Sequence, residues 1–351
     1  MKILAINPGS TSTKIAVFNN EHEVTKGAIR HFASQKNPED DIRERAEEII
    51  SFLRDREVQF DFDAIACRGG ILPPLESGTY RVDEKMVDFL LHHSEVDHPS
   101  NLAAPIGFLL SEGKIPVFIT DPISIDEFCE EARFSGLPQL PRISRLHALN
   151  MKAAARQIAA DLGKSVENLY LVIAHLGGGI SVGLQLRGKM VDVNNATDEG
   201  PFSPTRTGEL PVGDLAEKCF SGEYTEKQLI DRYLKSGGLR AYLGTDDLRK
   251  ALEMADSDPN AAMVVDAMVY QISKEIGGMV ALGGGQIDAI VLTGGMAYNA
   301  ELVEKIKSFV GKFALVVIEP GENELLSLAL GAQRVLEGAE KAREFDAEVA
   351  S

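Results

Sequence analysis

Short apolar runs separated by glycine-rich turns open the chain and recur near its middle. The N-terminal stretch "KILAINPGSTSTKIAVF" places two strand-length runs on either side of a turn at residues 6–14. The stretch "LYLVIAHLGGGISVGLQLRGKMVD", residues 169–192, repeats this order of strand, turn and strand. Short apolar runs bounded by turn residues predict β-strands. The repeat predicts two similar halves, with a boundary near residues 145–170 and a ligand cleft between them.

Segments with a helical period lie between and after these strands. In residues 38–56, one face of the predicted helix carries apolar side chains: Ile42, Ala46, Ile49, Ile50 and Leu53. Other helices are predicted at residues 144–163, across most of 214–283, and after the strands that begin near residues 287 and 314. The alternation of strands and helices predicts an α/β protein.

The charge of the chain restricts its partners. Lys and Arg number 36 against 53 Asp and Glu, a net charge of −17. Binding to nucleic acids or anionic membranes needs an excess of basic residues, so neither is an expected partner. Cys67, Cys129 and Cys219 lie far apart, which fits no metal site and favours a reducing compartment. The N-terminal apolar run is short and is broken by Asn7, so we predict a cytoplasmic protein without a membrane span.

The first turn is rich in small hydrogen-bonding groups. "INPGSTSTK" supplies the Asn7 amide, the Ser10 and Ser12 hydroxyls and the Lys14 ammonium around Gly9. Glycine lets a phosphate approach the backbone N–H groups, and Asn7 could position a metal-bound water. The turn is neither a Walker loop nor the G-x-G-x-x-G turn of dinucleotide folds. An ordinary hairpin with polar turn residues is the alternative interpretation.

Two further glycine-rich turns support phosphate binding. "HLGGGIS" follows His175 with three consecutive glycines at residues 177–179, more than a hairpin needs. Two such hairpins, one in each half, are what a nucleotide held between two domains requires. The third turn, "LTGGMAYN", lies between a strand and a helix. It could admit an adenine or a ribose, or it could serve close packing of the strand against the helix.

Five motifs resemble, in their order along the chain, those of the acetokinase family of short-chain carboxylate kinases. They are "INPGSTSTK", "SRLHALNMKAA", "AHLGGGIS", "GPFSPTRTGELP" and "TGGMAYN". The shorter chain, together with "CRGG", "EGPFSPTRTGELP" and "LTGGMAY", is closer to the butyrate branch of the family. The family belongs to the superfamily of acetate and sugar kinases, heat-shock proteins and actin. The resemblance therefore implies two ribonuclease H-like domains, with duplicated, mixed five-stranded sheets flanked by helices, and a central cleft.

The resemblance assigns a role to each half of the chain. Residues 1–150 would form the N-terminal actin-like ATPase domain on the carboxylate side, and residues 151–351 the C-terminal one on the nucleotide side. Helices near the C-terminus could pack back on the first domain. The implied reaction is reversible: butanoate and ATP give butanoyl phosphate and ADP by direct in-line transfer with Mg²⁺. A carboxylate is ionised at neutral pH, so the reaction needs alignment and positive charge at the transferred group rather than a base.

The resemblance places Arg206, His147 and Asp121 in catalysis. Arg206 lies in the stiff loop "SPTRTGELP" and would stabilise the transferred phosphoryl group; a surface pair with Glu209 is the alternative. His147 would be a second stabiliser, although a lone histidine is more often a half-buried helix residue. Asp121 ends the strand "VFITD" and would hold Mg²⁺ or its waters, or would only cap the next turn.

The other residues of the implied site bind metal or nucleotide. The metal residues would be Asn7, Asp121 and Glu324, with Glu322 as the alternative to Glu324; either glutamate could instead be an acid favoured at a helix N-terminus. The nucleotide- and phosphate-binding residues would be Asn7, Ser10, Ser12, Lys14, His175, Gly177, Gly178, Gly179, Asp247, Arg249, Gly294, Gly295 and Asn299. Asp247 and Arg249 match an Asp-x-Arg motif that contacts ribose and adenine, or they form an ordinary charged helix start. His175 could equally be a core histidine at a strand end.

Two positions depart from the pattern of acetate kinase. Ala297 and Tyr298 stand where that enzyme has Gly-Glu, which leaves the adenine pocket undetermined. Residue 65 or 66 falls where that enzyme has its substrate-side arginine, whereas Arg68 directly precedes a Gly-Gly pair here. We expect Arg68 to bind the substrate carboxylate from a shifted position.

Alternatives to butyrate remain open at this point. The nearest is the same chemistry on acetate, propionate or isobutyrate, because one methylene changes discrimination by only about 1–3 kcal/mol. A non-catalytic, ATP-driven switch of the same superfamily is more distant, since Arg206, His147 and Arg68 suit an anionic acceptor. The expected partners are therefore a short-chain carboxylate, ATP with Mg²⁺, and further copies of the chain in a dimer or an assembly of dimers.

Overall fold

The computed structural model describes residues 1–31, 37–94, 96 and 98–346. The chain divides into two units. Unit 1 contains Met1–Asp126 and the described residues of Asn323–Ser351, and unit 2 contains Glu127–Glu322. This division differs from the boundary expected at residue 150. The described residues of the C-terminal segment group with unit 1 and not with unit 2.

A buried ion pair explains why residues 127–150 belong to unit 2. Lys152 Nζ donates to Glu127 Oε2 at 2.6 Å and to the Gly188 carbonyl at 2.7 Å. The Met190 N–H donates to the same carboxylate oxygen at 2.7 Å. Both charged side chains are almost fully buried, so each needs the other as a partner. This pairing fixes the segment that begins at Glu127 to the second unit, and no repeat in the sequence signals it.

Unit 1 is built on a mixed sheet. In the described part of the chain the sheet has six strands in the order β3-β2-β1-β4-β6-β5. The strands are β1 (Lys2–Pro8), β2 (Ser12–Asn19), β3 (His22–Arg30), β4 (Ala64–Cys67), β5 (Thr79–Arg81) and β6 (Val117–Thr120). β1, β4 and β6 run parallel, whereas β2, β3 and β5 pair antiparallel to their neighbours. The short β5 is a sixth strand beyond the five that the resemblance implies.

Helices cover the sheet of unit 1. They are α1 (Pro38–Arg54), α2 (Glu84–Asp88), α3 (Ala103–Ser111) and, from the C-terminal segment, α11 (Glu324–Leu336). Helix α1 begins where Asn37 caps the backbone N–H of Glu39 and Pro38 occupies the first turn. Its predicted face is wrong at one position: Ile50 is exposed, whereas Phe52 and Arg45 are buried. The apolar face of a helix is broad, so periodicity alone did not show whether Ile50 or Phe52 lies on it.

Unit 2 repeats the topology of unit 1. Its sheet has the order β11-β10-β7-β8-β9. The strands are β7 (Tyr170–Leu176), β8 (Ile180–Leu186), β9 (Lys189–Val193), β10 (Ala289–Gly294) and β11 (Leu315–Pro320). β7 and β8 form an antiparallel hairpin, β9 pairs antiparallel with β8, and β10 and β11 run parallel to β7. β1, β2, β3, β4 and β6 have these same relations in unit 1, so the predicted duplication of an α/β fold is confirmed.

The helices of unit 2 are α4 (Ala148–Asp161), α5 (Val212–Phe220), α6 (Glu226–Lys235), α7 (Gly238–Leu243), α8 (Leu248–Ala255), α9 (Pro259–Leu282) and α10 (Ala300–Val310). Helices α7 to α10 form the core with this sheet, whereas no residue of α5 or α6 is buried. The long helix α9 buries Val265, Met268, Ile272 and Ile276 against the strands and α10. Throughout the described residues, no helix combines the length and the apolar composition that crossing a bilayer requires.

Close contact between α11 and the sheet predicts a cost for a single added methyl group. A Cβ at Gly331 would overlap the side chain of Thr120, which is buried at the end of β6. We expect Gly331→Ala to destabilise the protein by about 1–3 kcal/mol through overpacking, seen as a lower melting temperature in circular dichroism. Gly277→Ala in α9 is the matched control, because a Cβ there has no neighbour within 4 Å. That change should stabilise the protein by up to about 1 kcal/mol through helix propensity, and equal melting temperatures for the two variants would contradict the packing argument.

Candidate active site

The first glycine turn, between β1 and β2, is held by a buried arginine. The Gly9 N–H donates to the Ser12 carbonyl at 2.7 Å and closes the turn. Arg45 Nη1 donates to the Gly9 carbonyl at 3.1 Å and to Thr13 Oγ1 at 3.0 Å, while Asp41 holds its Nε. Arg45 is 5% exposed, so the turn rests on a fixed cation. The turn presents the Ser10 side chain outward, where an anion could meet it.

Three of the predicted residues in unit 1 lie in contact. Asn7 Nδ2 donates to Glu324 Oε2 at 2.7 Å, and Arg68 Nη1 donates to Glu324 Oε1 at 3.0 Å. Asn7 lies near the end of β1, Arg68 directly follows β4, and Glu324 is the first residue of α11. The carboxylate therefore has an amide on one oxygen and a guanidinium on the other. All three side chains are only half-buried, so other molecules can reach the group.

Asp121 lies on the same edge of the sheet, directly after β6. Because β1, β4 and β6 are parallel, their carboxyl ends meet at this edge, with β6 two strands from β1, or roughly 10 Å. Asp121 is 1% exposed, and its Oδ1 accepts from the Gly78 N–H at 2.9 Å. Its backbone has a φ of 41°, a left-handed conformation that is costly outside glycine. The strained backbone aims this carboxylate at a fixed place near the strand ends.

Three glycine-containing segments of unit 2 meet at the carboxyl ends of its parallel strands. The turn of residues 177–179 joins β7 to β8. Gly294 is the last residue of β10 and Gly321 directly follows β11, and the two glycines form a bridge with each other. A Cβ at Gly294 would lie 2.5 Å from the Leu176 carbonyl oxygen, and its φ is 86°. Glycine is therefore required at this position, because the backbone of β10 runs against that of β7. The predicted phosphate turn and the predicted adenosine turn are thus parts of one edge.

Two predicted histidines stack beside this edge. The rings of His147 and His175 lie 3.9 Å apart with an interplanar angle of 12°. His175 Nδ1 lies 2.6 Å from Asn150 Oδ1, and Asn150 Nδ2 donates to the Gly321 carbonyl at 2.9 Å. Since Oδ1 only accepts, Nδ1 of His175 carries a proton, and Nε2 is the nitrogen that lies 3.2 Å from Glu322. His147 in turn contacts Ser181 through Nδ1 at 3.0 Å, so both rings have fixed orientations.

Arg206 lies against the second glycine turn. Its Nη1 donates to the Ala196 carbonyl at 2.9 Å, and a Cβ at Gly179 would lie 2.5 Å from the same nitrogen. Because Gly179 has no side chain, the guanidinium has room to lie against the turn. Burial lowers the pKa of Arg206, and the charge of Asp198 opposes that shift. A guanidinium stays charged at neutral pH even so, which gives the second glycine turn a fixed positive charge.

The predicted nucleoside residues lie on two helix starts. Asp247 caps α8 by accepting from the Arg249 N–H at 2.9 Å, and Arg249 Nη2 pairs with the same carboxylate at 3.1 Å. The hydrogen bond from Arg249 lowers the pKa of Asp247, and Asp247 raises the pKa of Arg249. Asn299 caps α10 through the Leu302 N–H at 2.9 Å. These contacts give both motifs a structural role. Their role in binding the nucleotide stays a prediction.

Several polar residues that support the site were missed. Arg45, Asn150, Ser181 and Ser203 each hold a backbone group or a predicted site residue by a side-chain hydrogen bond. The sequence contained one signal for Arg45, which is a charged residue on the apolar face of a predicted helix. The other three are ordinary polar residues within recognised motifs, and nothing in their spacing separates them from surface positions.

The comparisons with known proteins identify the family and the fold of the chain. The model of the acetokinase family matches residues 143–342. A probable butyrate kinase of Thermotoga petrophila is 49% identical over 350 residues, which cover 98% of each chain. A probable butyrate kinase of Clostridium botulinum is 46% identical over 352 residues, which cover 97% of this chain and 99% of the relative. Among solved structures, acetate kinase from Porphyromonas gingivalis has a TM-score of 0.77 at 18% identity, covering 95% of this chain and 99% of its own. Acetate kinase from Entamoeba histolytica has a TM-score of 0.79 at 17% identity, covering 96% of this chain and 100% of its own, and this likeness concerns the fold.

Proposed function

The chain belongs to the acetokinase family and is a short-chain carboxylate kinase, for which we propose butyrate as the substrate: butanoate and ATP give butanoyl phosphate and ADP, reversibly. The position of Arg206 carries the catalytic part of this proposal. A charged guanidinium held against a triple-glycine turn suits a transferred phosphoryl group, whose equatorial oxygens gain from fixed positive charge. Relatives named probable butyrate kinase at 46–49% identity support butyrate over acetate.

We assign the chemical roles as follows. The turn of residues 177–179 binds phosphate oxygens of the nucleotide through the N–H groups of Gly178 and Gly179, since the Gly177 N–H donates to the Gly179 carbonyl at 3.2 Å. Arg206 and His147 stabilise the transferred group. His175, with a proton on Nδ1, orients His147 through the stacked rings. The substrate carboxylate is already ionised and attacks the γ-phosphorus directly, so the enzyme supplies alignment and charge instead of a general base. The phosphoryl group passes to the carboxylate oxygen and ADP leaves, with no phosphoenzyme.

We also propose that Mg²⁺ is bound with the nucleotide by residues of unit 1. The Asn7 amide donates through Nδ2 to the Glu324 carboxylate, both side chains carry oxygen atoms that can bind a metal, and Asp121 supplies a second carboxylate at the same sheet edge. Across the described residues, no three His, Cys, Asp or Glu side chains converge on one metal position. One amide and two carboxylates fit Mg²⁺, because this ion keeps waters and phosphate oxygens as ligands and takes only one or two protein carboxylates. When bound, the ion would screen the charge of the phosphates.

The activity is tested by trapping acyl phosphate with hydroxylamine. Purified protein is mixed with ATP, MgCl₂, hydroxylamine and one acid at a time, from acetate to pentanoate and including isobutyrate. The acyl phosphate reacts with hydroxylamine to give a hydroxamate and phosphate, and the hydroxamate is measured as its coloured iron(III) complex. We expect the highest kcat/KM with butyrate. A higher kcat/KM for acetate or propionate would overturn the butyrate assignment and keep the kinase. The absence of hydroxamate with every acid, from protein that still binds ADP by calorimetry, would overturn the proposed reaction.

We further propose a homo-oligomer and a cytoplasmic location. Helix α5 carries Val212 and Phe220 with relative exposures of 78% and 91%, and the loop before α4 exposes Phe134 and Leu140. Large apolar side chains at such exposures suit an interface between copies. The three cysteines are free thiols, which favours a reducing compartment. Light scattering after gel filtration should give a mass of at least twice 38.1 kDa, and a monomer at micromolar concentration would contradict the proposed assembly.

A further inference from the structure

One buried hydroxyl joins the second glycine turn to the loop that carries Arg206. Ser203 Oγ donates to the Gly178 carbonyl at 2.5 Å. The same oxygen accepts from the Arg206 N–H at 3.0 Å and, more weakly, from the Thr205 N–H at 3.4 Å. A hydroxyl has one proton and two lone pairs, so these contacts use its full capacity. The side chain is 1% exposed, and water therefore has little access to replace it.

The backbone of Ser203 is fixed as well. Its N–H donates to the Arg206 carbonyl at 3.0 Å, and its carbonyl accepts from the Leu239 N–H at 3.2 Å. Gly238, the first residue of α7, packs so closely that a Cβ there would overlap the Ser203 carbonyl oxygen. The left-handed φ of 55° at Gly238 also excludes most other residues. The hydroxyl is thus a rigid connection between two segments that different elements support.

We propose that Ser203 is a positioning residue, which sets the distance between the phosphate-binding turn and the catalytic guanidinium. The inference rests on the proposed function, because it assumes that the turn binds nucleotide phosphates and that Arg206 acts on the transferred group. Loss of the hydroxyl frees both the Gly178 carbonyl and the Arg206 N–H. The turn and the arginine then move independently, and a guanidinium displaced by even a fraction of an ångström loses much of its effect on the transition state.

Thr205 is the matched control. Its Oγ1 also donates to the Gly178 carbonyl, at 3.1 Å, but within the described part of the chain that hydroxyl makes no hydrogen bond to the Arg206 backbone. Thr205→Val removes one bond to the turn and keeps the shape of the side chain. We expect it to raise the KM for ATP two- to threefold and to leave kcat within a factor of two. We expect Ser203→Ala to raise the KM for ATP similarly and to lower kcat about tenfold, the effect of about 1.4 kcal/mol in the transition state.

The decisive measurement is a double-mutant cycle with Arg206→Ala, using initial rates of hydroxamate formation from butyrate. If Ser203 acts through Arg206, adding Ser203→Ala to Arg206→Ala changes kcat by less than twofold, because the two losses are not additive. The same tenfold loss in both backgrounds would overturn the inference, as would equal kcat values for Ser203→Ala and Thr205→Val. Ser203→Cys keeps a weak donor and acceptor of similar size and should give an intermediate kcat. It replaces the alanine variant in the cycle if that variant does not fold.

The same data separate the inference from the function on which it rests. A wild-type protein without hydroxamate activity, or an Arg206→Ala variant with wild-type kcat, contradicts the proposed function. An active wild type that depends on Arg206 but shows additive losses contradicts only the role of Ser203.

Discussion

Replacement of Arg206 by alanine is expected to lower kcat roughly 10²–10³-fold, the usual loss when one fixed electrostatic contact to a transition state is removed. The KM values for ATP and butyrate should change less than fivefold, because the arginine acts on charge that develops during transfer. Initial rates of hydroxamate formation measure both parameters. Arg206→Lys should recover little of the loss, because an ammonium cannot reproduce the two parallel hydrogen bonds of a guanidinium.

Two further variants control this result. Arg232→Ala removes an arginine of the same unit whose guanidinium lies over the ring of Tyr224, and it should keep wild-type rates. Gly179→Ala should lower kcat as well, because its Cβ would lie 2.5 Å from Arg206 Nη1 and must displace the guanidinium. If Arg206→Ala instead raised only the KM for ATP, the arginine would be a ground-state binding residue.

The glycine turns explain how much of the fold could be read from the sequence. Both hairpins, the strands that form them and the duplication of the α/β topology were predicted, because short apolar runs around glycines are local signals. The three-residue β5 has no such signal. The boundary at residue 127 depends on the buried pair of Lys152 and Glu127, and two charged residues far apart in sequence look like any other surface residues. Ile50 was misplaced because a helical period fixes a face only to within about one residue.

The sequence proposes the members of the candidate site but not the contacts that orient them. Motifs identified all three of Arg206, His147 and His175. Arg206 and His175 stand close to glycines that only a close ligand or close packing requires, whereas His147 was identified only by the resemblance of the motif "SRLHALNMKAA". The contacts that orient them come from Asn150, Ser181 and Ser203, whose hydrogen bonds appear only after folding. The pairing of Arg68 with Glu324 joins residues 256 positions apart. Local spacing carries no information about such a pair.

Arg68→Ala is expected to raise the KM for butyrate at least tenfold, with a smaller fall in kcat and little change in the KM for ATP. The reason is that a substrate carboxylate would lose its counter-charge, and a charge-assisted hydrogen bond contributes about 1.5–3 kcal/mol. Steady-state rates over a range of butyrate concentrations measure the change. Arg81→Ala, an exposed arginine on β5 of the same sheet, is the matched control and should leave the KM for butyrate unchanged.

Glu324→Gln separates the proposed role of this carboxylate in binding Mg²⁺ from a role in binding the substrate. In the structure Glu324 neutralises Arg68 at 3.0 Å and accepts from Asn7 at 2.7 Å, so it competes with a substrate carboxylate for the guanidinium. Removing its charge should therefore leave the KM for butyrate unchanged or lower it, because Arg68 stays available. The Mg²⁺ concentration for half-maximal rate should rise about tenfold, since a neutral amide binds a hard divalent cation more weakly than a carboxylate does. The proposed roles require that the KM for butyrate rises in Arg68→Ala and does not rise in Glu324→Gln. If Glu324→Gln raised that KM as Arg68→Ala does, both residues would bind the substrate. The assignment of Glu324 to the metal would then be wrong.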